Sequence, residues 1–259
     1  MREIIRSIFP ALLFLSLLAP VPAQLPLQKG DTICLIGNGL PDRMQYDGWV
    51  ETLIQSAAPA GELRIRNLAF PGDTVTKRPR SKGFTSPEGY LKHCEADVIF
   101  VFFGYNESFG GDKGVSGFGD DLGKMVDKYR GSKFNGKSAP RLVLFSPIAH
   151  EDLDDSNLPD GRDNNANLAL YTGAIKQVAD EKGVAFVDLF APSQALYSQN
   201  SQPLTLNGIH LLPEGNKKLA EVIGKAVSGK EVKASDKLEA LRAAVLDKNW
   251  HWFNRYRAV

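Results

Sequence analysis

Four short segments of the chain carry the residues that could do chemistry. In chain order they are residues 37–40 (GNGL), 67–74 (NLAFPGDT), 104–107 (GYNE) and 207–210 (NGIH). Glycine N–H groups and an asparagine amide are donors that can hold a carbonyl oxygen or an anion. A histidine is the usual base near neutral pH. Together the segments predict a site that stabilises negative charge and can move a proton.

A parallel sheet is predicted to position these segments. Apolar runs rich in β-branched and aromatic residues alternate with segments of helical period, which is typical of a parallel sheet covered by helices on both faces. Because ligand sites in such folds form where the strands end, the loops that follow the strands should meet at one edge. The predicted strands are residues 32–37, 63–69, 97–104, 141–146 and 184–190, and the predicted helices are residues 43–58, 120–130, 164–182 and 214–227.

Three long connections, residues 70–90, 105–119 and 147–163, interrupt this alternation. Each follows the carboxyl end of a predicted strand. Loops of this length in a compact domain are usually functional or disordered, so all three point to the same site. The glycine-rich stretch 110–119 within the second connection suits a mobile lid.

The four segments, in this order, resemble the sequence blocks of the SGNH (GDSL-type) hydrolase superfamily. The resemblance spans roughly residues 31–227 and implies a three-layer α/β/α fold with a five-stranded, flavodoxin-like parallel sheet. It implies esterase or deacetylase activity on carbohydrate or lipid esters, with neither a cofactor nor a metal. Gly72 matches the family's oxyanion glycine, Asn106 its Gly-x-Asn-Asp asparagine, and His210 its base.

Two departures from the family pattern fall on the reacting groups. Gly39 occupies the position of the nucleophilic serine, and glycine has no atom that could attack a carbonyl. Asn207 occupies the position of the aspartate that orients His210. In serine proteases the same exchange of Asp for Asn lowers turnover roughly ten-thousand-fold, because the imidazole is held in the wrong tautomer. We therefore expect that a serine restored at position 39 alone gives little activity.

Other polar residues of the three connections could supply a replacement mechanism. Glu107 or His150 could activate water, with His210 as the partner acid or base. The alternatives are a helix cap or turn for Glu107 and a loop histidine for His150. Further candidates, each with the same structural alternatives, are the pairs Asp42–Arg43 and His150–Glu151 and the hydroxyls of Thr74, Ser108 and Ser146.

Two functions follow, an altered hydrolase or a non-catalytic relative that binds an anionic or acylated glycan in the retained oxyanion pocket. The basic run 77–82 (KRPRSK) could attract such an anionic ligand, or could be a solvated loop. A third interpretation, dinucleotide binding, is suggested by the two glycines of residues 37–39. It is disfavoured because Asp42 stands where the third glycine belongs.

The amino terminus has the pattern of a signal peptide. Arg2 and Arg6 precede an apolar stretch, residues 8–21, that is too short for a comfortable membrane span. A small-residue pattern ending at Ala23 predicts cleavage there, which would leave a secreted or periplasmic protein with no membrane span. We predict a hydrolase-like domain over residues 24–228, followed by an amphipathic helix and aromatic tail over residues 229–259 that docks on the domain or begins a further region.

The composition and the two cysteines add limits. With 31 Lys and Arg against 30 Asp and Glu in 259 residues, the chain lacks the basic excess of a nucleic-acid binder. The expected partner is a small-molecule or glycan ester, and the oligomeric state is left open. An exported chain could join Cys34 to Cys94, although a free buried thiol is the commoner state for a cysteine in a core strand such as Cys34.

Overall fold

The computed structural model describes residues 27–257, so the predicted signal peptide lies outside the described residues. The strands of this range pair in parallel in the order β2-β1-β3-β4-β5, which confirms the predicted five-stranded sheet. They are β1 (Thr32–Gly37), β2 (Arg64–Asn67), β3 (Val98–Phe102), β4 (Arg141–Phe145) and β5 (Ala185–Val187).

Helices cover both faces of the sheet. They are α1 (Gly39–Asp47), α2 (Trp49–Ala57), α3 (Pro87–His93), α4 (Gly111–Arg130), α5 (Arg162–Lys182), α6 (Phe190–Gln199), α7 (Pro213–Ser228) and α8 (Glu239–Arg257), with short 3-10 helices at Glu107–Gly110 and Asp236–Leu238. None of the helices within the described range has the length and apolar character that a membrane span requires.

Strand β1 shows how the layers arise. All six of its residues are buried. Ile33 and Leu35 pack with α1, α2 and α7, whereas Cys34 and Ile36 pack with α3, α4 and α5. Because successive side chains of a strand point to opposite faces, a run that is apolar throughout requires helices on both sides. The predicted three-layer architecture is therefore the observed one.

Two predictions about helices and loops are wrong. The helix predicted over residues 43–58 is two helices, divided at Gly48, whose φ of +73° is the left-handed conformation of a helix end. The stretch 110–119, predicted as a mobile lid, is mostly the first half of α4. Its glycines allow close helix packing, since a Cβ on Gly114 would lie 2.3 Å from the Tyr171 hydroxyl of α5.

The sequence analysis also missed two helices. Helix α3 begins near the end of the connection 70–90, where Ser86 accepts a hydrogen bond from Gly89 N and Pro87 is the first helical residue. Helix α6 begins at Phe190, which was predicted to end the last strand; the Asp188 carboxylate accepts the N–H of Phe190 and so caps the helix. A serine directly before a proline, as at Ser86, and an aspartate just before a helix, as at Asp188, are readable start signals.

The aromatic tail docks on the domain as helix α8. Val245 and Tyr256 are buried. Trp252 Nε1 donates to Asn67 O at 2.8 Å, and the Tyr256 hydroxyl donates to Leu68 O at 3.1 Å. Of the two alternatives for the aromatic residues, the described structure shows the docked one. Helix α8 thus holds the backbone that leaves β2 and leads to Gly72.

Candidate functional site

A cavity of about 240 Å³ lies at the carboxyl edge of the sheet. Gly39, Gly72, Asn106 and His210 line it together, although they come from four separate segments of the chain. Strand β1 delivers Gly39, the loop after β2 delivers Gly72, the turn after β3 delivers Asn106, and the loop before α7 delivers His210. The structure therefore places these four predicted residues around one space.

Gly39 is the first residue of α1, so its N–H belongs to the helix turn that has no partner within the helix. A Cβ built on Gly39 meets no atom within 4 Å, and the backbone there is not left-handed. The neighbouring Asn38 accepts the N–H of Leu40 through Oδ1 and also lines the cavity. Among the described residues, its buried Nδ2 has no hydrogen-bond partner. The helix start thus offers unsatisfied donors and room for a side chain.

Hydrogen bonds and a salt bridge connect the loop that carries Gly72 with the turn that carries Asn106. Gly72 adopts a φ of +82°, which favours glycine in this turn. Asn106 Nδ2 donates one of its two hydrogens to Asp73 O at 2.8 Å, which leaves the other for a ligand. The Asp73 carboxylate is buried and forms a two-pronged salt bridge with Arg80 at 2.7 and 2.8 Å. These contacts fix the Asn106 amide beside Gly72.

The structure corrects the proposed catalytic role of Glu107. Its Oε1 accepts Val75 N at 2.8 Å and its Oε2 accepts Gly104 N at 2.9 Å. Burial raises the pKa of Glu107, against these hydrogen bonds. Glu107 does not line the cavity. It joins the Gly72 loop to the Asn106 turn, which is a structural task that sequence position alone could not distinguish from catalysis.

The basic run 77–82 matches neither alternative fully, because its arginines contact the protein and its lysines face solvent. Arg80 is folded inward on Asp73, with its guanidinium 3.7 Å from the Phe70 ring centroid. Arg78 donates to Val75 O and to the Tyr129 hydroxyl. Two of the four basic residues therefore stabilise the Gly72 loop, and the two lysines are the exposed basic residues of the run.

Asn207 holds the imidazole of His210 differently from our expectation. Asn207 Oδ1 lies 3.1 Å from the His210 backbone N–H and 3.0 Å from His210 Nδ1. A backbone N–H can only donate, so the atom facing both groups has to be the amide oxygen. The oxygen then accepts from Nδ1–H and leaves Nε2 unprotonated. His210 therefore has the tautomer that a base needs, with the proton on Nδ1. Compared with an aspartate at position 207, what Asn207 lacks is the negative charge.

The surroundings of His210 favour its neutral form. Burial lowers the pKa of His210, and the positive charge of Arg43 lowers it further. Arg43 lies on α1, is exposed, and lines the same cavity. No aspartate or glutamate is among the described residues that line the cavity. The site is therefore rich in donors and favours a ligand that brings negative charge or an acceptor oxygen.

His150 and Glu151 form the base of the loop that presents His210. The buried Glu151 carboxylate accepts the N–H groups of Leu204 at 3.0 Å and of Thr205 at 2.7 Å, and also the Thr205 hydroxyl at 2.6 Å. His150 is packed so closely that a Cβ on Gly208 would lie 2.1 Å from its Nε2. Neither residue lines the cavity, which corrects the proposal that either activates water there.

The remaining candidates also have structural roles. Ser146 is buried, accepts the N–H of Leu189 at 2.7 Å and contacts the Asp188 carboxylate. Ser108 donates to Tyr105 O at 2.7 Å. Thr74 closes a turn with Lys77, and Asp42 is buried against Gln45 inside α1. Their hydroxyls and carboxylate are not on the cavity wall.

The sequence analysis missed three groups on the cavity wall. Asn38 and Tyr105 lie inside the matched segments but were not assigned a role, and Arg43 was considered only beside Asp42. The position of Asn38 between two glycines at a helix start was the available signal. Among residues 27–257, no three His, Cys, Asp or Glu side chains are grouped as a metal site requires.

A parallel α/β/α sheet with Gly72, Asn106 and His210 on loops at one edge is the arrangement expected of the SGNH class. The sequence model of the GDSL-like lipase/acylhydrolase family matches residues 36–218, and the chain belongs to this family. The general chemistry of this family is the hydrolysis of ester bonds. No curated protein sequence matches the chain.

Solved structures support the same fold. A crystal structure from Parabacteroides merdae, described as a GDSL-like lipase, superimposes with a TM-score of 0.64 at 18% identity, covering 80% of this chain and 100% of that one. An acetylxylan esterase from Geobacillus stearothermophilus gives 0.60 at 18% identity, covering 81% and 99%. A gut microbial diltiazem-metabolizing enzyme, BT4096, gives 0.60 at 18% identity over 78% of this chain, which spans 48% of that protein's length.

Proposed function

We propose that the cavity is a receptor for the acyl or carboxylate group of a small-molecule or carbohydrate ligand, and that it does not act as a serine esterase. The observation that carries this proposal is the presence of Gly39 at the head of α1 beside the other oxyanion donors. Glycine removes the nucleophile and keeps the backbone N–H. The pocket can therefore bind the oxygen of an acyl group without forming an acyl-enzyme.

Charge supports an anionic or acceptor-rich ligand. Arg43 is the cationic side chain on the described cavity wall, which also carries His210 and the phenol of Tyr105. Asn38 Nδ2 is buried without a partner, and a ligand oxygen that reached it would satisfy it. At about 240 Å³ the cavity is smaller than the usual site for a drug-sized molecule, so it suits a short acyl group or a carboxylate at the end of a larger ligand.

The ligand class and location extend this proposal. The Geobacillus neighbour is named for acetylated xylan, and we propose acetylated or acidic carbohydrate as the ligand class here. We also propose that residues 1–23 direct export and are cleaved near Ala23, which would give the cavity access to extracellular or periplasmic glycans.

A second candidate is slow ester hydrolysis by water, which the tautomer of His210 favours. His210 Nε2 would take a proton from water as the water oxygen bonds to the carbonyl carbon. Donors on Gly39, Gly72 and Asn106 would hold the oxyanion, and the departing alcohol would recover the proton from the imidazolium. Neutral Asn207 and cationic Arg43 both disfavour that imidazolium, and so this candidate ranks second.

Thermal unfolding with acetate, glucuronate and acetylated xylo-oligosaccharides tests the binding proposal. At ten times the Kd, a ligand adds about 1.4 kcal/mol of stability, or about 3–6 °C in Tm for a chain of this size. Asn106→Ala and Arg43→Gln should remove the shift. Asn157→Ala, an exposed asparagine away from the cavity, should keep it.

Product analysis separates the two candidates. The binding proposal expects a Tm shift without release of acetate from the same oligosaccharides. Acetate release that disappears in His210→Gln would establish the water mechanism instead. Equal Tm shifts in wild type and Asn106→Ala would show that the ligand binds elsewhere and would refute the cavity assignment.

A further inference from the structure

A second reactive cluster lies at the opposite part of the sheet from the cavity and involves the two cysteines. Cys34 is fully buried in the middle of β1, opposite Arg66 of β2. Cys94 caps the carboxyl end of α3, and its backbone N–H donates to Tyr90 O at 2.9 Å. Cys94 packs against the core cluster that contains Cys34, and both are free thiols.

The two thiols form an unequal pair. The interaction between the two thiols lowers the pKa of Cys94 and raises the pKa of Cys34. The positive charge of Arg66 lowers the pKa of Cys94 further. Cys94 is half-buried, whereas Cys34 has no exposed surface. An accessible thiolate beside a buried thiol is the arrangement in which one cysteine attacks and the other resolves.

Cys94 opens onto a positively charged cleft of about 400 Å³. Arg64 and Arg66 of β2, Arg255 of α8 and His93 of α3 line the cleft, and Glu95 is the one acidic residue on its described wall. The Arg66 guanidinium lies 5.2 Å from the ring centroid of Trp252, which holds it at the edge of the cleft. Such a field concentrates anionic reagents near Cys94.

We propose that Cys34 and Cys94 are a dithiol site that reduces a small anionic disulfide by thiol–disulfide exchange and is itself modified to an intramolecular disulfide. The Cys94 thiolate attacks one sulfur of the reagent, forms a mixed disulfide and expels one thiolate. Cys34 then loses its proton to solvent and attacks the Cys94 sulfur, which expels the second thiolate. Two electrons pass from the dithiol to the reagent, and two reagent thiols leave.

This modification joins strand β1 to the end of α3. The loop it closes, residues 34–94, contains both Gly39 and Gly72. A cross-link over a loop of this length restricts the unfolded chain, so the oxidised protein should resist urea better than the reduced protein. The dithiol shares no residue with the cavity, and its behaviour is independent of what the cavity binds.

Ellman's reagent, a dianionic aromatic disulfide, tests the proposal on the full reduced chain. Wild type should release two reagent thiolates per chain and end two hydrogens lighter by mass, with no adduct. Cys34→Ser should release one thiolate and keep the adduct on Cys94. Cys94→Ser should lose the fast release altogether, because the remaining thiol is buried. Cys34→Ala replaces Cys34→Ser if that variant does not fold.

Several results would overturn the proposal. Wild type that stops at a stable adduct on Cys94 would place Cys34 out of reach, and fast release from Cys94→Ser would make Cys34 the attacking thiol. The cleft is tested with 2-hydroxyethyl disulfide, which is uncharged. Salt and Arg66→Gln should slow the anionic reagent severalfold more than the neutral one, and equal slowing would remove the role of charge.

Discussion

Restoring a serine at position 39 tests whether the cavity still has the geometry of an acyl-transfer site. The substitution Gly39→Ser is sterically free, because a Cβ there meets no atom within 4 Å and the backbone is not left-handed. Serine also has a higher helix propensity than glycine, and it would stand in the first turn of α1. The variant should therefore fold as well as wild type. Any gain in activity then reports on His210 and the oxyanion donors.

The magnitude depends on what Asn207 still supplies. The 3.0 Å contact from Asn207 Oδ1 to His210 Nδ1 keeps the tautomer, so the loss should be smaller than in a protease whose asparagine imposes the wrong tautomer. The missing part is the charge. A carboxylate at position 207 would lie about 4 Å from the centre of the imidazolium, which at an effective dielectric constant of about 20 is about 4 kcal/mol, or about a thousandfold in rate.

The assay compares four proteins on p-nitrophenyl acetate. Wild type and the matched control Gly39→Ala should both hydrolyse it at background. Gly39→Ser should be measurably active, and Gly39→Ser with Asn207→Asp should be about a thousandfold faster in kcat/KM. In the serine background, Asn207→Leu should cost about fivefold to tenfold through the lost hydrogen bond. Nitrogen NMR of labelled histidine should show the proton of His210 on Nδ1 in wild type.

Two results would refute this reasoning. If Gly39→Ser is no better than Gly39→Ala while the double variant is active, Asn207 does not hold the tautomer as its contacts imply. If the double variant is also inactive although it folds, the donors of Gly39, Gly72 and Asn106 do not converge on a carbonyl oxygen. A proton found on Nε2 of His210 would contradict the tautomer directly.

Two stability predictions follow from buried carboxylates. Burial raises the pKa of Asp47 from 3.8 to about 6, so folding disfavours its charged form and the free energy of unfolding falls as pH rises through 6. Asp47→Asn should therefore gain at most about 3 kcal/mol in urea unfolding at pH 7.5 and nothing at pH 3.5. The exposed control Asp120→Asn should change neither value. Glu151→Gln places an NH₂ group opposite the donors of Thr205 and should lower the free energy of unfolding by at least about 2 kcal/mol. Ligand binding should also weaken, because the loop that carries His210 loosens. An unchanged urea midpoint would contradict the role given to Glu151.

Patterns that depend on local sequence were predictable. Strand β1 is apolar in every position, and burial on both faces follows from that alone. The four matched segments follow the strands that carry them, and the topology of a parallel sheet brings their loops to one edge. The order of the segments therefore predicted that Gly39, Gly72, Asn106 and His210 lie near each other, and the cavity contains all four.

Features that depend on partners distant in sequence were not predictable. The glycines of α4 read as a flexible loop because the Tyr171 side chain that they accommodate is on another helix. Glu107 and Glu151 read as possible bases because each follows a strand, but both are occupied by backbone N–H groups of other loops. Asn207 turns its amide oxygen towards His210 because the backbone N–H of His210 donates to it, and composition cannot show this contact.

The distribution of satisfied and unsatisfied groups explains how the cavity keeps its shape with a glycine at position 39. Glu107, Glu151 and the Asp73–Arg80 pair are buried charges, and each is stable because several donors or an opposite charge meet it. These contacts hold the loops around the cavity, and none of them involves the nucleophile. Exchanging serine for glycine at position 39 removes a reacting oxygen and leaves that scaffold intact. The buried Nδ2 of Asn38 has no partner among residues 27–257, so a ligand oxygen at this point would supply about 1–3 kcal/mol that the fold alone does not.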